Sequence, residues 1–227
     1  MYIAGLQKTS LIDYPEKIAC IIFTQGCNFK CGYCHNPELF EQREPLITKE
    51  AFFDFLKTRQ NKLDGVVITG GEPTLQKNLK DFIIKIKDLG FLIKIDSNGT
   101  KPQVIEELLN EKLINYIAMD IKAPLGKYKS ITNVDVDIEN IKKSIELILN
   151  SNIDYEFRTT VIKSQLNYND FEEIGNIIKG AKKYYLQKFI PSKILDESLM
   201  KEKTYSNEEF EKVKRILSKY IQKIEIR

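Results

Sequence analysis

Two hydrophobic signatures take turns along this chain. Short, continuous apolar runs at residues 18–24, 65–69, 91–95, 116–119, 155–162 and 184–190 read as strands buried on both faces. Apolar residues at helical spacing follow each run. Ala51, Phe52, Phe55 and Leu56 form the first set, with Thr48 as the expected N-cap. Leu79, Phe82, Ile83, Ile86 and Leu89 form the second, ended by Gly90, and Val104, Ile105, Leu108 and Leu109 the third, with Pro102 in the first turn. Ile138, Ile141, Ile145 and Ile148, then Phe171, Ile174, Ile177 and Ile178, then Phe210, Val213, Leu217 and Tyr220 complete the series, before a short terminal strand at 221–226. The opening 17 residues are mixed and polar, with a turn at Asp13-Tyr14-Pro15, and predict a short hairpin or extended lead-in.

Six strand–helix units call for a parallel sheet covered by helices. No Pro/Gly/Ser-rich linker or charge block divides the chain. The expectation is one α/β domain over 1–227, made of a lead-in (1–17), a six-strand core (18–190) and a C-terminal helix with a short strand (191–227). The pattern alone leaves both an open doubly wound sheet and an incomplete (β/α) barrel available.

Composition narrows the function. Of 227 residues, 42% are hydrophobic and 30% charged, which fits a globular fold with a sizeable core. Thirty-five basic against 32 acidic side chains give a formal charge of +3, too balanced to call for nucleic acid or an anionic membrane. No apolar run approaches the roughly 20 residues that span a bilayer, and no signal-peptide pattern opens the chain. A cytoplasmic location is expected, where thiols stay reduced. With one histidine, His35, neither a histidine pair for proton relay nor a His-rich metal site can be built.

The chemistry gathers at the strand ends, where parallel sheets carry function. The first strand leads into Cys27, Cys31 and Cys34, spaced C-x3-C-x2-C, while Cys20 within the apolar run reads as a small buried hydrophobe. Thiolates bunched this tightly in one loop hold metal, and three of them leave one position open. The second strand ends in Gly70-Gly71-Glu72-Pro73, the third in Asp96-Ser97-Asn98-Gly99 and the fourth in Asp120-Ile121-Lys122. Arg158 lies on the fifth, and Gln187 on the sixth. Taken singly, the glycine pair reads as an ordinary turn, the Asp96 group as an Asx-turn and the cations as solvated charges. Their coincidence on one rim beside three cysteines is what points to a site.

The same residues resemble a known family. C-x3-C-x2-C followed by Gly-Gly-Glu-Pro resembles the radical S-adenosylmethionine (SAM) superfamily. The stretches Gly5-Leu6-Gln7-Lys8-Thr9-Ser10-Leu11-Ile12-Asp13-Tyr14-Pro15, Phe23-Thr24-Gln25-Gly26-Cys27-Asn28, Tyr33-Cys34-His35-Asn36-Pro37 and Asp120-Ile121-Lys122 resemble the activating proteins of anaerobic ribonucleoside-triphosphate reductase. That group is similar to pyruvate formate-lyase activating enzyme. The likeness implies a partial (β/α)6 TIM-like barrel and a 4Fe–4S cluster on Cys27, Cys31 and Cys34. It implies SAM chelating the fourth iron through its amino and carboxylate groups.

By the same likeness Gly70, Gly71 and Glu72 receive the methionine amino group, Tyr33 helps position the adenine, and Asn98, Lys122 and Arg158 also face the cofactor. A monovalent cation beside the methionine carboxylate would lie on Asp96, Ser97, the Met119 carbonyl and Asp120. The implied activity is reductive cleavage of SAM to a 5′-deoxyadenosyl radical, which takes a hydrogen atom from a glycine of the reductase. A flavodoxin or ferredoxin would supply the electron, and neither nucleic acid nor membrane takes part. Two departures stand out: Pro15-Glu16 where relatives often have Pro-Gly, and no histidine near the sixth strand, whose place Gln187 partly takes. Two other readings stay open, a deazapurine-synthase-like enzyme acting on a small molecule and a Cys3His zinc module using His35.

Overall fold

The computed structural model describes residues 1–40 and 47–227. The chain enters along β1 (Ile3–Ser10), an edge strand antiparallel to β2 (Ala19–Thr24). Residues 3–10 of the lead-in are therefore part of the sheet, the first arm of a hairpin. Between the arms, Asp13 accepts a hydrogen bond from Ser10, and Tyr14 is buried against Tyr116 with ring centroids 5.8 Å apart.

Parallel strands follow in strict order: β3 (Gly65–Gly70), β4 (Leu92–Ser97), β5 (Tyr116–Asp120), β6 (Asp154–Val161), β7 (Lys183–Lys188) and β8 (Lys223–Ile226). Each strand from β2 to β8 is hydrogen-bonded to the next in parallel register. Sequential order with right-handed crossovers curls a sheet into a barrel, and among the described residues β1 and β8 remain its two edges. The terminal strand expected at 221–226 is thus a seventh parallel strand.

The helices fall where the periodicity put them: α1 (Lys49–Lys57), α2 (Leu79–Asp88), α3 (Pro102–Asn110), α5 (Ile138–Leu149), α6 (Tyr168–Ile177) and α7 (Asn207–Leu217), with α4 (Tyr128–Thr132) as a short addition. Thr48 caps α1 by accepting from the Ala51 N–H. Gly90, at φ +90°, lets the chain leave α2. At five residues α4 is too short for a periodic signal, and periodicity did not announce it.

Two apolar layers result. The larger packs the outer faces of the strands, Cys20 among them, against the helices; a smaller one inside the barrel joins Tyr14, Ala19, Ile21, Val67 and Tyr116 and plugs its amino end. A sheet plugged at one end and polar at the other presents its working surface at the carboxyl ends of β2–β7. Among the described residues no helix is long and apolar enough to cross a membrane.

Candidate active site

Above β2–β7 the barrel opens on a cavity of about 340 Å³. Its wall contains Cys27, Cys31, Cys34, Tyr33, Gly70, Gly71, Glu72, Asp96, Ser97, Asn98, Asp120, Lys122, Arg158 and Gln187. Among the predicted positions Met119 stands outside that wall. It lies within β5, paired in register with Ser97 and Phe157, and its side chain packs beneath Gly99. Gly99 has φ +78°, and a Cβ there would stand 2.0 Å from Met119 Cε. Only glycine fits that corner.

The cysteine loop is held from three directions. Gly26, at φ +91°, turns the chain out of β2, and its carbonyl accepts from the Glu72 N–H at 2.8 Å. Gly71 presses on the same peptide: a Cβ on it would lie 2.0 Å from the Gly26 oxygen. From α4, the Thr132 carbonyl accepts from the Lys30 N–H at 2.8 Å. After β7 the chain folds over the loop's outer side. The Leu195 N–H donates to the Cys34 carbonyl at 3.1 Å and the Asp196 N–H to the Gly32 carbonyl at 2.8 Å. In the same strap Lys193 pairs with Glu38, and Ser192 Oγ meets His35 Nδ1 at 3.1 Å. Gly32 makes this possible, because a Cβ there would stand 2.9 Å from Leu199 Cδ1.

Three free thiols therefore face one cavity. Burial pushes the Cys27 thiol up to about 12 and raises Cys31 and Cys34 as well. Neutral thiols are poor nucleophiles, whereas metal binding deprotonates them outright. The Phe29 N–H already points at Cys27 Sγ from 3.4 Å, the donor that a bound thiolate needs. His35 is exposed and engaged with Ser192, and among the described residues no group of three or more His, Cys, Asp and Glu side chains is arranged to hold a metal ion. Adjacent residues such as Cys34 and His35 fold back onto one ion in poor tetrahedral geometry, which disfavours a Cys3His zinc site. A polynuclear cluster, which spreads its ligand sulfurs around several irons, fits the loop better.

Glu72 is buried, and both of its oxygens are engaged. Oε1 accepts from the Thr74 N–H at 3.1 Å, the Thr74 hydroxyl and Ser97 Oγ at 2.9 Å; Oε2 accepts from the Asn98 N–H at 2.6 Å. Burial raises its pKa against the pull of these donors. The carboxylate fastens the loop after β3 to the loop after β4. Asn98 extends the tie, its side-chain amide donating to Asn28 Oδ1 at 2.8 Å and so reaching the cysteine loop.

Across the cavity the charges form a ladder. Lys94 Nζ meets Asp96 Oδ1 at 2.6 Å, and Asp96 Oδ2 meets Arg158 at 3.2 Å. Arg158 Nε donates to Asp120 Oδ1 at 2.9 Å, and Asp120 Oδ2 meets Lys122 Nζ at 2.9 Å. Burial works to raise both carboxyls, but Arg158 with Lys94 holds Asp96 below its usual range, and Arg158 with Lys122 brings Asp120 down to about 2. Lys122 also lies 5.8 Å from the centroid of the Tyr33 ring. The Tyr33 hydroxyl is buried beside the Cys31 thiol and makes no hydrogen bond of ordinary geometry among the described residues. An unmet donor in the wall of a cavity is a place for a ligand acceptor.

The family model of the radical SAM superfamily matches residues 21–178. This chain belongs to the radical SAM superfamily. A protein of Methanocaldococcus jannaschii described as a glycyl-radical enzyme activating enzyme is 39% identical, over 99% of this chain and 95% of its own length. The pyruvate formate-lyase-activating enzyme of Clostridium pasteurianum is 26% identical, over 83% and 81%. Among solved structures, SuiB of Streptococcus suis bound to S-adenosylmethionine superposes with a TM-score of 0.70 at 16% identity, covering 90% of this chain and 49% of that one. That last likeness concerns the fold, and it agrees with a partial TIM-like barrel.

The three thiols, the two-glycine cradle and Tyr33 all line the one cavity. Reading the sequence did not single out Lys94, Thr74 or the strap over the cysteine loop. Lys94 carried a signal: it interrupts an apolar run and precedes Asp96 by two, which places both on one face of β4. The strap carried none, since its contacts reach back more than 150 residues.

Proposed function

We propose that this chain activates a glycyl-radical enzyme, an anaerobic ribonucleoside-triphosphate reductase, by generating a radical from SAM at a 4Fe–4S cluster. The observation that carries the reading is the set of three thiols facing one cavity beside the Gly70-Gly71 cradle. The near-full-length match to an activating enzyme supports the choice of a protein acceptor over a small molecule. When bound, the cluster and SAM supply one-electron cleavage of the sulfonium and, through it, hydrogen-atom abstraction from a glycine.

The protein's own residues bind, orient and exclude water. Cys27, Cys31 and Cys34 would hold the cluster and leave one iron for the cofactor's amino and carboxylate groups. The backbone of Gly70 and Gly71 would receive the amino group, since the absence of side chains lets a ligand come close. Glu72 supports that cradle from behind through Thr74, Ser97 and Asn98. Lys122 and Arg158, held in place by Asp120, would face the ligand's anionic and ribose side, and Tyr33 would lie by the adenine. No residue need act as general acid or base, in keeping with the lack of a histidine pair. A flavodoxin or ferredoxin would deliver the electron.

The test is anaerobic reconstitution with iron and sulfide, then electron paramagnetic resonance on the reduced protein mixed with SAM and candidate glycyl-radical enzymes. A glycyl doublet on the ribonucleotide reductase is expected, and Cys31→Ala should abolish colour, SAM cleavage and doublet together. Cleavage of SAM with no doublet on any candidate would redirect the reading to a small-molecule substrate. A zinc-loaded, colourless protein would end it.

A further inference from the structure

The likeness to activating enzymes leads one to expect a monovalent cation on Asp96, Ser97, Met119 and Asp120. In this protein those donors are already spent. Each of the four carboxylate oxygens of Asp96 and Asp120 meets a cationic nitrogen: Asp96 Oδ1 meets Lys94, Asp96 Oδ2 and Asp120 Oδ1 meet Arg158, and Asp120 Oδ2 meets Lys122. Ser97 Oγ donates to Glu72 and accepts from the Gly99 N–H at 3.0 Å. Met119 lies in the ladder of β5, outside the cavity wall. An alkali ion on these oxygens would have to share them with three side-chain cations already in contact, and like charges crowded on two carboxylates repel.

Lys94 decides the matter. Arg158 and Lys122 line the cavity and have room to rearrange around a ligand, but the Lys94 side chain is only 2% exposed and lies outside the cavity wall. It rises from the barrel interior behind Asp96, with its ammonium 5.8 Å from the centroid of the Tyr116 ring. An alkali ion that took Asp96 Oδ1 would leave this ammonium buried and unpaired, which is strongly unfavourable.

We propose that the Lys94 ammonium stands in for the monovalent cation, so that this protein binds SAM without an alkali ion and Lys94 serves as a positioning residue for Asp96. A monovalent cation between two carboxylates neutralises them and fixes their spacing. Here three covalently attached cations on β4, β6 and the segment after β5 do both, with no ion to lose at low salt.

The inference rests on the radical SAM reading, and its test separates the two. SAM binding to the brown, reconstituted protein is measured by equilibrium dialysis in buffers whose only cation is sodium, potassium or the bulky tetramethylammonium. The dissociation constants should agree within about twofold. Loss of about tenfold or more in tetramethylammonium, recovered by sodium or potassium, overturns the proposal while leaving the radical SAM reading intact. Brown protein that binds no SAM in any buffer counts against the radical SAM reading itself, and with it the proposal.

Lys94→Met supplies the converse. It should weaken SAM binding about tenfold in tetramethylammonium and regain most of it with sodium or potassium, while Lys94→Arg stays indifferent to the cation. A Lys94→Met protein that binds as tightly as the unchanged protein in all three buffers, or equally weakly in all three, overturns the proposal. If Lys94→Met does not fold, the cation series on the unchanged protein still decides.

Discussion

At the scale of single residues, the chain places several side chains where their cost is visible. Glu16, next to Pro15, sits exposed at φ +62°. Left-handed backbone crowds the Cβ of any L-residue, so Glu16→Gly should stabilise the fold by about 0.5–1 kcal/mol, read by urea denaturation. Asp120 makes a pH-dependent contribution. Its folded pKa, about 2, lies below its unfolded value of 3.8, so its stabilisation is complete above the unfolded value and is lost as pH falls through about 2. A depression of this size corresponds to on the order of 2 kcal/mol. Comparing denaturation of the wild-type and Asp120→Asn proteins should show their stability difference shrinking by about that amount on going from near neutrality to about pH 2. A constant difference across that range would refute the role given to the ladder.

At the scale of elements, the site depends on loops that meet backbone to backbone. Gly71 and Gly26 touch so closely that no side-chain rearrangement can admit a methyl group between them. Gly71→Ala should therefore part the loop after β3 from the cysteine loop, costing about 1–3 kcal/mol as overpacking does, and lowering the iron retained per chain after reconstitution. Iron content equal to wild type would show that the contact does not shape the cluster loop. Legibility also divides at this scale. Strands, long helices, Thr48 and Gly90 follow from local rules of burial, capping and left-handed turns, and all four readings hold. The cysteine spacing was equally local. The strap after β7, α4 and the Glu72 tie were hidden, because each depends on which distant segments the barrel brings together.

At the scale of the whole molecule, the barrel is closed off at its amino end by residues that do no chemistry. Glu156, fully buried inside, accepts from the Tyr116 hydroxyl at 2.8 Å and pairs with Arg227 at 3.2 Å; Arg227 also stacks over the Tyr185 ring at 3.4 Å. Arg227→Ala should strand the Glu156 charge and cost about 2–3 kcal/mol, less than breaking a fully buried pair because the Arg227 side chain is 38% exposed. Thermal denaturation checks this, and an unchanged midpoint would mean that Tyr116 alone satisfies Glu156.

The sequence by itself determined the order of strands and helices, the three-cysteine loop and the rim on which the polar residues meet. Each of those is written in neighbouring residues, as apolar runs, helical spacing and short motifs. Only the tertiary structure decided how the polar groups are spent. Glu72, expected to face the cofactor, lines the cavity and also holds two loops together, and Asp96 and Asp120, expected beside a monovalent cation, pair with Lys94, Arg158 and Lys122. A carboxylate's partners depend on the register of neighbouring strands, and register is a property of the folded sheet rather than of any one segment.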